Sequence, residues 1–384
     1  MQTLGASPLG GWDIREPSIR NGARLIPQIP NPWSARVQPP RSAPQLVHWA
    51  LFPVTVNSRI NSGFPFGGND GAMWAGRGVT VAADFGGIIS AGPLVLQLNP
   101  VVFWAQNAAF PLQQNGQTGE GAFRAGQPQY ATSIDLPQRF GDGAYTRADI
   151  GDTELRIELP WFMAGVSNAH RIWGPAAEYP FILGVNAPGF LHAFVSTNDP
   201  VNIGIAMFRA NLLWAKLDQS AYSPVSGSPT YFSIGQPGTK RYATGIALSL
   251  QPHGLPNLEI GVTRFIQSVW PREGLPRSYA TKVFQNFLKK SLNERDAKVV
   301  TDFSGSDNQL LSVFVRWVLP HSGAELYTEY GREDHAYDFR DLVNEPDHSR
   351  SYLLGFRKVL GNSGDHLSAI RGGLFNFQLP ALAR

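Results

Sequence analysis

The sequence has no cysteine and few charged residues, and each shortage excludes classes of protein. Without cysteine there is no disulfide scaffold, no cysteine-ligated zinc site and no cysteine nucleophile. Charged residues make up 16% of the 384 residues, against roughly a quarter in typical soluble chains. The net charge of +3 and the lack of a basic block give no reason to expect a nucleic-acid partner.

Long apolar runs are missing as well. A transmembrane helix needs about 20 predominantly apolar residues, and no such stretch occurs although 43% of the residues are hydrophobic. Even the run from Leu310 to Leu319 is interrupted by Ser312 and Arg316. A helical membrane protein is therefore not expected. The class of proteins that cross a membrane with strands is not excluded by this observation.

Turn-forming and aromatic residues are abundant instead. The chain contains 40 glycines, 30 prolines, 23 phenylalanines, 11 tyrosines and 10 tryptophans. Glycine and proline mark turns, and aromatic residues favour strands. Residues 1–45 hold six prolines between positions 27 and 44, so they predict an irregular, Pro-rich N-terminal segment. Residues 46–384 are predicted to form a single β-barrel domain, for the following reasons.

Apolar and polar residues alternate with a period of two in many segments. After Gln309, one face carries Leu311, Val313, Val315, Trp317 and Leu319, and the other carries Ser312, Phe314 and Arg316. A turn at residues 320–323 follows, and then Glu325, Tyr327 and Glu329 share a face. This pattern predicts an antiparallel hairpin. Similar segments occur at residues 78–85, 94–104, 153–159, 203–216, 246–262 and 351–360.

The length of these segments favours a membrane barrel over a soluble sheet. They are about 8 to 13 residues long, close to the 9–11 of a membrane-spanning strand and longer than the average soluble strand. Short turns alternate with long polar connections at residues 113–130, 218–240 and 270–307, as in outer-membrane barrels. The predicted fold is all-β, a transmembrane antiparallel up-and-down β-barrel with long loops. Residues 279–292 also have apolar spacing that favours a short helix within one loop.

Three spaced motifs are more specific than this pattern. They lie at residues 57–78 (NSRINSGFPFGGNDGAMWAGRG), at 171–176 (RIWGPA) followed by 186–190 (NAPGF), and at 325–335 (ELYTEYGREDH) followed by 345–350 (EPDHSR). Together and in this order they resemble the capsule assembly protein Wzi family, from about His48 to the end. The resemblance implies an outer-membrane barrel of about eighteen strands with a periplasmic helical plug. It also implies a lectin-like role in holding surface polysaccharide, without enzymatic activity or a cofactor.

The sequence departs from that family pattern in two places. Residues 1–45 are too rich in proline for a helical plug, and residues 374–384 do not end on the aromatic residue that commonly closes such barrels. About a dozen to fourteen candidate strands can be counted, fewer than eighteen. We therefore expect an incomplete barrel, truncated at the C-terminus, with at least one unpaired edge. A divergent smaller barrel is the alternative.

Charged residues supply candidate lumen groups but no catalytic pair. Glu325 and Glu329 are separated by about 13 Å along one strand, too far for glycosidase carboxylates. With Arg316 they are expected to face the lumen, either as an ion-pair ladder or as sugar contacts. Trp173 either anchors its turn or stacks on a sugar ring. The polysaccharide-binding candidates are Trp173, Trp270, Arg272, Arg332, Asp334, His335, Asp347 and Arg350. The acidic residues and histidines at 332–348 are predicted to belong to a solvated loop rather than to a metal site.

Three functions remain open at this level. The first is a monomeric outer-membrane lectin that contacts exported polysaccharide and outer-membrane lipid. The second is a porin-type channel for small solutes, built on the same barrel and the same lumen charges. The third, weaker alternative is a soluble β-rich carbohydrate-active enzyme.

Overall fold

The computed structural model describes residues 47–124, 137–176, 179–218, 240–255, 257–271, 274–285, 308–333, 350–363 and 366–377. Its strands are β1 Val47–Asn61, β2 Gly78–Ala91, β3 Leu94–Leu98, β4 Val101–Ala105, β5 Tyr145–Asp149, β6 Glu154–Glu158, β7 Phe162–Ser167, β8 His192–Thr197, β9 Val201–Asn202, β10 Ala206–Asp218, β11 Lys240–Pro252, β12 Leu258–Val269, β13 Asn308–Leu319, β14 Ala324–Glu333, β15 Arg350–Ser363 and β16 His366–Phe377. Short 3-10 helices lie at Gly119–Phe123, Arg277–Phe284 and Pro320–Ser322. No helix among the described residues is long and apolar enough to span a membrane.

The sixteen strands of the described residues belong to one sheet, in which every pair of neighbouring strands is antiparallel. β3 and β4 lie end to end beside β2. β5 and β6 together form the next position, where β5 pairs with β4 and β6 pairs with β3. β8 and β9 share one position and both pair with β10. The sixteen segments therefore occupy thirteen strand positions. This sheet has the up-and-down topology that the alternating segments predicted.

The connections alternate in length, which gives the sheet two different rims. Short connections at residues 92–93, 159–161, 203–205, 253–257, 320–323 and 364–365 define the short-connection rim. Long connections at residues 62–77, 106–144, 168–191, 219–239, 270–307 and 334–349 define the long-connection rim. At one short turn Gly323 adopts the left-handed conformation with φ of 58°, which glycine tolerates without strain.

Burial along the strands is inverted relative to a soluble sheet. In β6, Glu154, Arg156 and Glu158 are buried, whereas the intervening Leu155 and Ile157 are 49% and 47% exposed. β13 repeats this pattern, with Arg316 buried and Val315 and Trp317 exposed. A polar inward face and an apolar outward face characterise a membrane β-barrel wall, because lipid rather than protein covers the outside. The predicted fold class is therefore confirmed.

Aromatic side chains lie on the outward face toward both rims. Trp104, Tyr330 and Tyr352 lie toward the long-connection rim, and Trp161 and Trp317 lie toward the short-connection rim. All five side chains are exposed. Girdles of this kind mark the two interfaces of a membrane barrel.

The sheet is open in the described part of the chain. β1 pairs only with β2, and β16 only with β15. β1 is exposed along most of its length, including Trp49, Leu51 and Ile60. The expected unpaired edge is therefore present among the described residues. The predicted N-terminal segment, residues 1–45, lies outside them.

Proline explains one difference between the predicted and the observed strands and one irregularity of the edge strand β1. The predicted strand at residues 94–104 is interrupted at Asn99–Pro100, between β3 and β4, since proline cannot donate to the ladder. Pro53 lies in β1 beside a register shift between Phe52 and Thr55, a position that an edge strand tolerates.

The helix expected at residues 279–292 is a 3-10 helix at Arg277–Phe284, and residues 286–292 lie outside the described part.

Candidate functional site

The connection between β7 and β8 folds onto the inward face, and we call residues 168–191 the inner segment. The backbone NH of Gly71 donates to Val185 O at 2.8 Å, which ties the inner segment to the connection after β1. At the opposite end of the sheet, the Tyr179 ring lies 4.8 Å from the Phe375 ring of β16, centroid to centroid. The described parts of the inner segment, residues 168–176 and 179–191, therefore lie along the inward face of the wall, with contacts to the connection after β1 and to β16.

Trp173 anchors the inner segment in the larger of two buried apolar clusters among the described residues. Its ring is 1% exposed and meets Phe265 of β12 edge-on at 6.4 Å between centroids. A Cβ atom on Gly245 of β11 would lie 2.5 Å from Trp173 Cη2, so the wall needs a glycine to seat this indole. The burial fits the anchoring role left open by the sequence. The glycan-stacking role predicted for Trp173 does not fit it and is corrected here.

Gly174, directly after Trp173, lies against a buried carboxylate of the wall. Its φ is +90°, and a Cβ atom there would lie 2.7 Å from Glu329 Oε2. Glu329 itself is 1% exposed and belongs to the third sequence motif. Since the first motif reaches the inner segment through Gly71, the three distant motifs meet on the inward face.

A buried ion-pair network, which we call the β6 network, fixes the start of the inner segment. Arg156 Nη1 lies 2.7 Å from Glu154 Oε1, and Arg156 Nη2 lies 2.9 Å from Glu158 Oε1. Arg171 of the inner segment approaches Glu154 Oε2 at 3.1 Å and donates from Nε to His192 Nε2 at 2.7 Å. Alternation along β6 puts both glutamates on the arginine's face, so one strand supplies most of the network.

A second network, the β13 network, contains two of the predicted lumen charges. Arg316 Nε donates to Glu325 Oε1 at 3.0 Å, and Arg316 Nη1 lies 3.4 Å from Glu259 Oε2. Arg357 Nη1 lies 3.7 Å from Glu325 Oε2. All but Arg357 are almost fully buried on the inward face. The third predicted lumen charge, Glu329, also faces inward but lies beside Gly174.

A cavity of about 190 Å³, lined by aromatic rings, lies between the inner segment and strands β14 to β16. We call it the aromatic cavity. Tyr179, Tyr327 and Phe375 supply its rings, and Arg371 adds a guanidinium. Tyr179 and Phe375 are 55% and 44% exposed, so their rings are accessible from the lumen. Gly355 makes room, since a Cβ atom there would lie 2.3 Å from Tyr327 Cζ.

The predicted polysaccharide contacts do not gather in this cavity. Arg332 and Arg350 are paired in register at the long-connection ends of β14 and β15. Both lie on the outward face, since they share it with Tyr330 and Tyr352 by alternation. Trp270 follows β12, and its backbone NH donates to Lys240 O at 3.3 Å. Four further candidates lie outside the described residues: Arg272, Asp334, His335 and Asp347.

Tyr179, Arg371 and Phe375 were not predicted from the sequence. Only Tyr327 carried a signal, because the alternation of β14 placed it between the two lumen glutamates. Within the described ranges, no group of three or more histidine, aspartate or glutamate residues is placed to hold a metal ion. Chemically, the cavity offers ring faces and hydrogen-bond donors, which suit a sugar ring.

Comparison with known proteins identifies a fold but not a family. No protein-family profile matches the sequence, and no curated protein matches it. The chain is similar in structure to Wzi of Escherichia coli, an outer-membrane protein involved in group 1 capsule assembly and described as a carbohydrate-binding β-barrel. The TM-score is 0.51 at 13% identity, over 97% of this chain and 67% of that one. This likeness shows a Wzi-like outer-membrane β-barrel fold.

A second, weaker likeness is to OccK10 (OpdN) of Pseudomonas aeruginosa. Its TM-score is 0.35 at 10% identity, covering 86% of this chain and 92% of that one. Similarity at this level carries no argument about function. The outer-membrane β-barrel fold rests on the likeness to Wzi and on the polar inward and apolar outward faces of the strands.

Proposed function

We propose that this protein is a monomeric outer-membrane barrel of the Wzi family that binds exported surface polysaccharide and helps to retain it at the cell surface. The observation that carries the proposal is the aromatic cavity on the inward face. Three ring systems and a guanidinium line a space that opens to the lumen. The proposal is of a binding protein and not of an enzyme.

The size of the cavity favours one unit of a longer chain. Pockets that enclose whole drug-sized ligands occupy roughly 300–1,000 Å³, against about 190 Å³ here. A single ring stacked on Tyr179 or Phe375 binds weakly on its own. A repeating glycan can make the same contact with many copies of its unit and with several protein molecules, and such multivalency raises the overall affinity.

The inner segment supports binding over free conduction of solutes. It lies along the inward face between Gly71 and Phe375, and it is fixed there by Trp173 and by the β6 network. A segment held by buried contacts at several points is expected to take up part of the lumen. This favours a retained ligand over a wide channel.

Alanine substitutions in the cavity test the proposal directly. We expect Tyr179→Ala and Phe375→Ala each to weaken glycan binding roughly 3- to 10-fold, since one aromatic contact contributes about 1 kcal/mol. Calorimetry with purified protein and polysaccharide from the producing cell measures this change. Tyr352→Ala is the matched control, because Tyr352 lies on the same sheet but faces outward.

Two outcomes would contradict the proposal. Equal affinities for the cavity variants and the Tyr352→Ala control would remove the cavity as the binding site. A steady open current from the wild-type chain in planar bilayers, together with no glycan binding, would favour the porin-type channel instead.

Deletion of the gene in the producing cell should release polysaccharide to the medium while export continues.

A further inference from the structure

A part of one long connection lies on the outward face of the wall rather than in the lumen. Residues 274–285, which contain the 3-10 helix Arg277–Phe284, form what we call the outer segment. Trp214 Nε1 donates to Ala280 O at 2.8 Å, and the Tyr242 hydroxyl donates to Tyr279 O at 2.6 Å. Arg264 Nη1 donates to Val283 O and to Gln285 O, each at 2.8 Å.

The register shows that these three donors face outward. Leu213, Gly245 and Phe265 are aligned across β10, β11 and β12, and Gly245 and Phe265 touch the inward Trp173. The next residue on each strand points to the opposite side. Trp214, Thr244 and Arg264 each lie next to one of these residues and therefore face outward. Tyr242 lies two positions from Thr244 on β11 and shares its face.

The outer segment covers polar wall residues that lie beyond the apolar band. Thr244, Ser268 and Gln309 share the outward face near the long-connection rim, yet they are at most 1% exposed. Farther down the same face, Leu250 and Ile260 are 40% and 41% exposed. Polar groups facing lipid are costly. The outer segment shields these side chains where the apolar band ends, and its carbonyls accept from Trp214, Tyr242 and Arg264.

The neighbouring strands place this level at the membrane interface. Tyr330 and Tyr352 are paired on the outward face, as expected of an aromatic girdle. One step nearer the long-connection rim, Arg264 is linked in register through Leu311 to Arg332 and Arg350. Aromatic residues followed by arginines are typical of the step from acyl chains to headgroups.

The far side of the outer segment combines apolar and basic side chains. Leu275 and Phe284 are 41% and 62% exposed. Arg277 is exposed, and Lys282 Nζ lies 4.5 Å from the centre of the Tyr279 ring. Residues 274–285 include no aspartate or glutamate. This combination matches an interfacial membrane-binding segment.

We propose that the outer segment binds the membrane surface next to the barrel. Leu275 and Phe284 enter the boundary of the acyl chains, and Arg277 and Lys282 bind the phosphates of anionic lipid headgroups. Basic residues close to an anionic surface are attracted to it electrostatically. The segment then fastens the long-connection rim of the wall to the surrounding bilayer, independently of any glycan in the lumen.

The absence of cysteine allows a site-specific test. The full chain carrying Phe284→Cys is labelled with an environment-sensitive fluorophore and reconstituted into vesicles of phosphatidylcholine with phosphatidylglycerol. We expect quenching by brominated acyl chains several-fold stronger than for a probe at Phe66→Cys, an exposed phenylalanine in another long connection. Equal lipid quenching at the two positions, with iodide quenching Phe284→Cys as strongly as Phe66→Cys, would overturn the proposal.

The basic residues are tested in the same labelled chain. Added phosphatidylglycerol should raise lipid quenching at position 284 about twofold or more, and Arg277→Glu with Lys282→Glu should abolish that increase. Lys358→Glu reverses a basic charge near the short-connection rim, away from the outer segment, and should leave that increase intact. An increase that survives reversal of Arg277 and Lys282, in a chain that still runs as a folded barrel on electrophoresis, would overturn the phosphate contact.

Discussion

The inward and outward faces of one strand obey opposite rules of burial, and β6 shows both within five residues. Arg156 lies between Glu154 and Glu158 and is 4% exposed, with carboxylate oxygens at 2.7 and 2.9 Å. Leu155 and Ile157, its direct neighbours, are about half exposed. The inward face is therefore stabilised by paired charges, and the outward face by the lipid around it.

This contrast shows where each kind of interaction must be specific. An inward charge needs its own partner at a fixed distance, because a buried ion without a partner is strongly destabilising. An outward aliphatic residue needs only an apolar solvent, since lipid adapts to its shape. Substitutions on the two faces should therefore differ in how much the exact side chain matters.

The largest effect is expected from Arg156→Ala on the inward face. It leaves Glu158 without this arginine and removes one of the cations beside Glu154. The loss of one partner of a buried pair costs about 3–5 kcal/mol of folding free energy. Urea unfolding of the chain in lipid vesicles measures the change.

Lys216→Ala is the matched control for Arg156→Ala. Lys216 Nζ lies 2.9 Å from Asp218 Oδ2, but the two side chains are 34% and 61% exposed. An exposed pair of this kind contributes about 0–1 kcal/mol. Equal losses for the two variants would mean that the β6 network contributes no more than a surface pair.

A somewhat smaller effect is expected from Val315→Arg on the outward face. Val315 lies in the apolar band of β13, directly before the buried Arg316. An arginine on the lipid face near the middle of the bilayer costs about 2–4 kcal/mol. Val315→Leu should change the unfolding free energy far less in the same vesicles. If arginine and leucine are tolerated equally, this face is not in contact with lipid.

The alternation that separates the two faces was readable from the sequence because it is local. The inward placement of Arg316, Glu325 and Glu329 needs only a period of two and the knowledge that β13 and β14 form a hairpin. The partner Glu259 was not predicted, because it lies on β12 across a long connection. Sequence distance, rather than side-chain chemistry, concealed it.

The candidate binding site was beyond the reach of the same reasoning. The inner segment has no periodicity, and its partners Gly245 and Phe375 are far away in the chain. The motif around Trp173 was recognised, but its burial depends on a glycine in β11. The aromatic cavity joins residues separated by almost two hundred positions, which only the folded sheet brings together.

The smallest predicted effect is expected on the outward face near the long-connection rim. It tests whether the exact side chain matters there, as it does not in the middle of that face. Trp214→Phe keeps an aromatic ring but removes the donor to Ala280 O, so we expect a loss of about 0.5–1.5 kcal/mol. Amide exchange in residues 277–285 should become faster, since one link to the wall is lost. Trp317→Phe makes the same change on this face near the opposite rim and should leave that exchange rate unchanged. An equal acceleration in both variants would show that the tryptophans act through the bilayer rather than through the hydrogen bond.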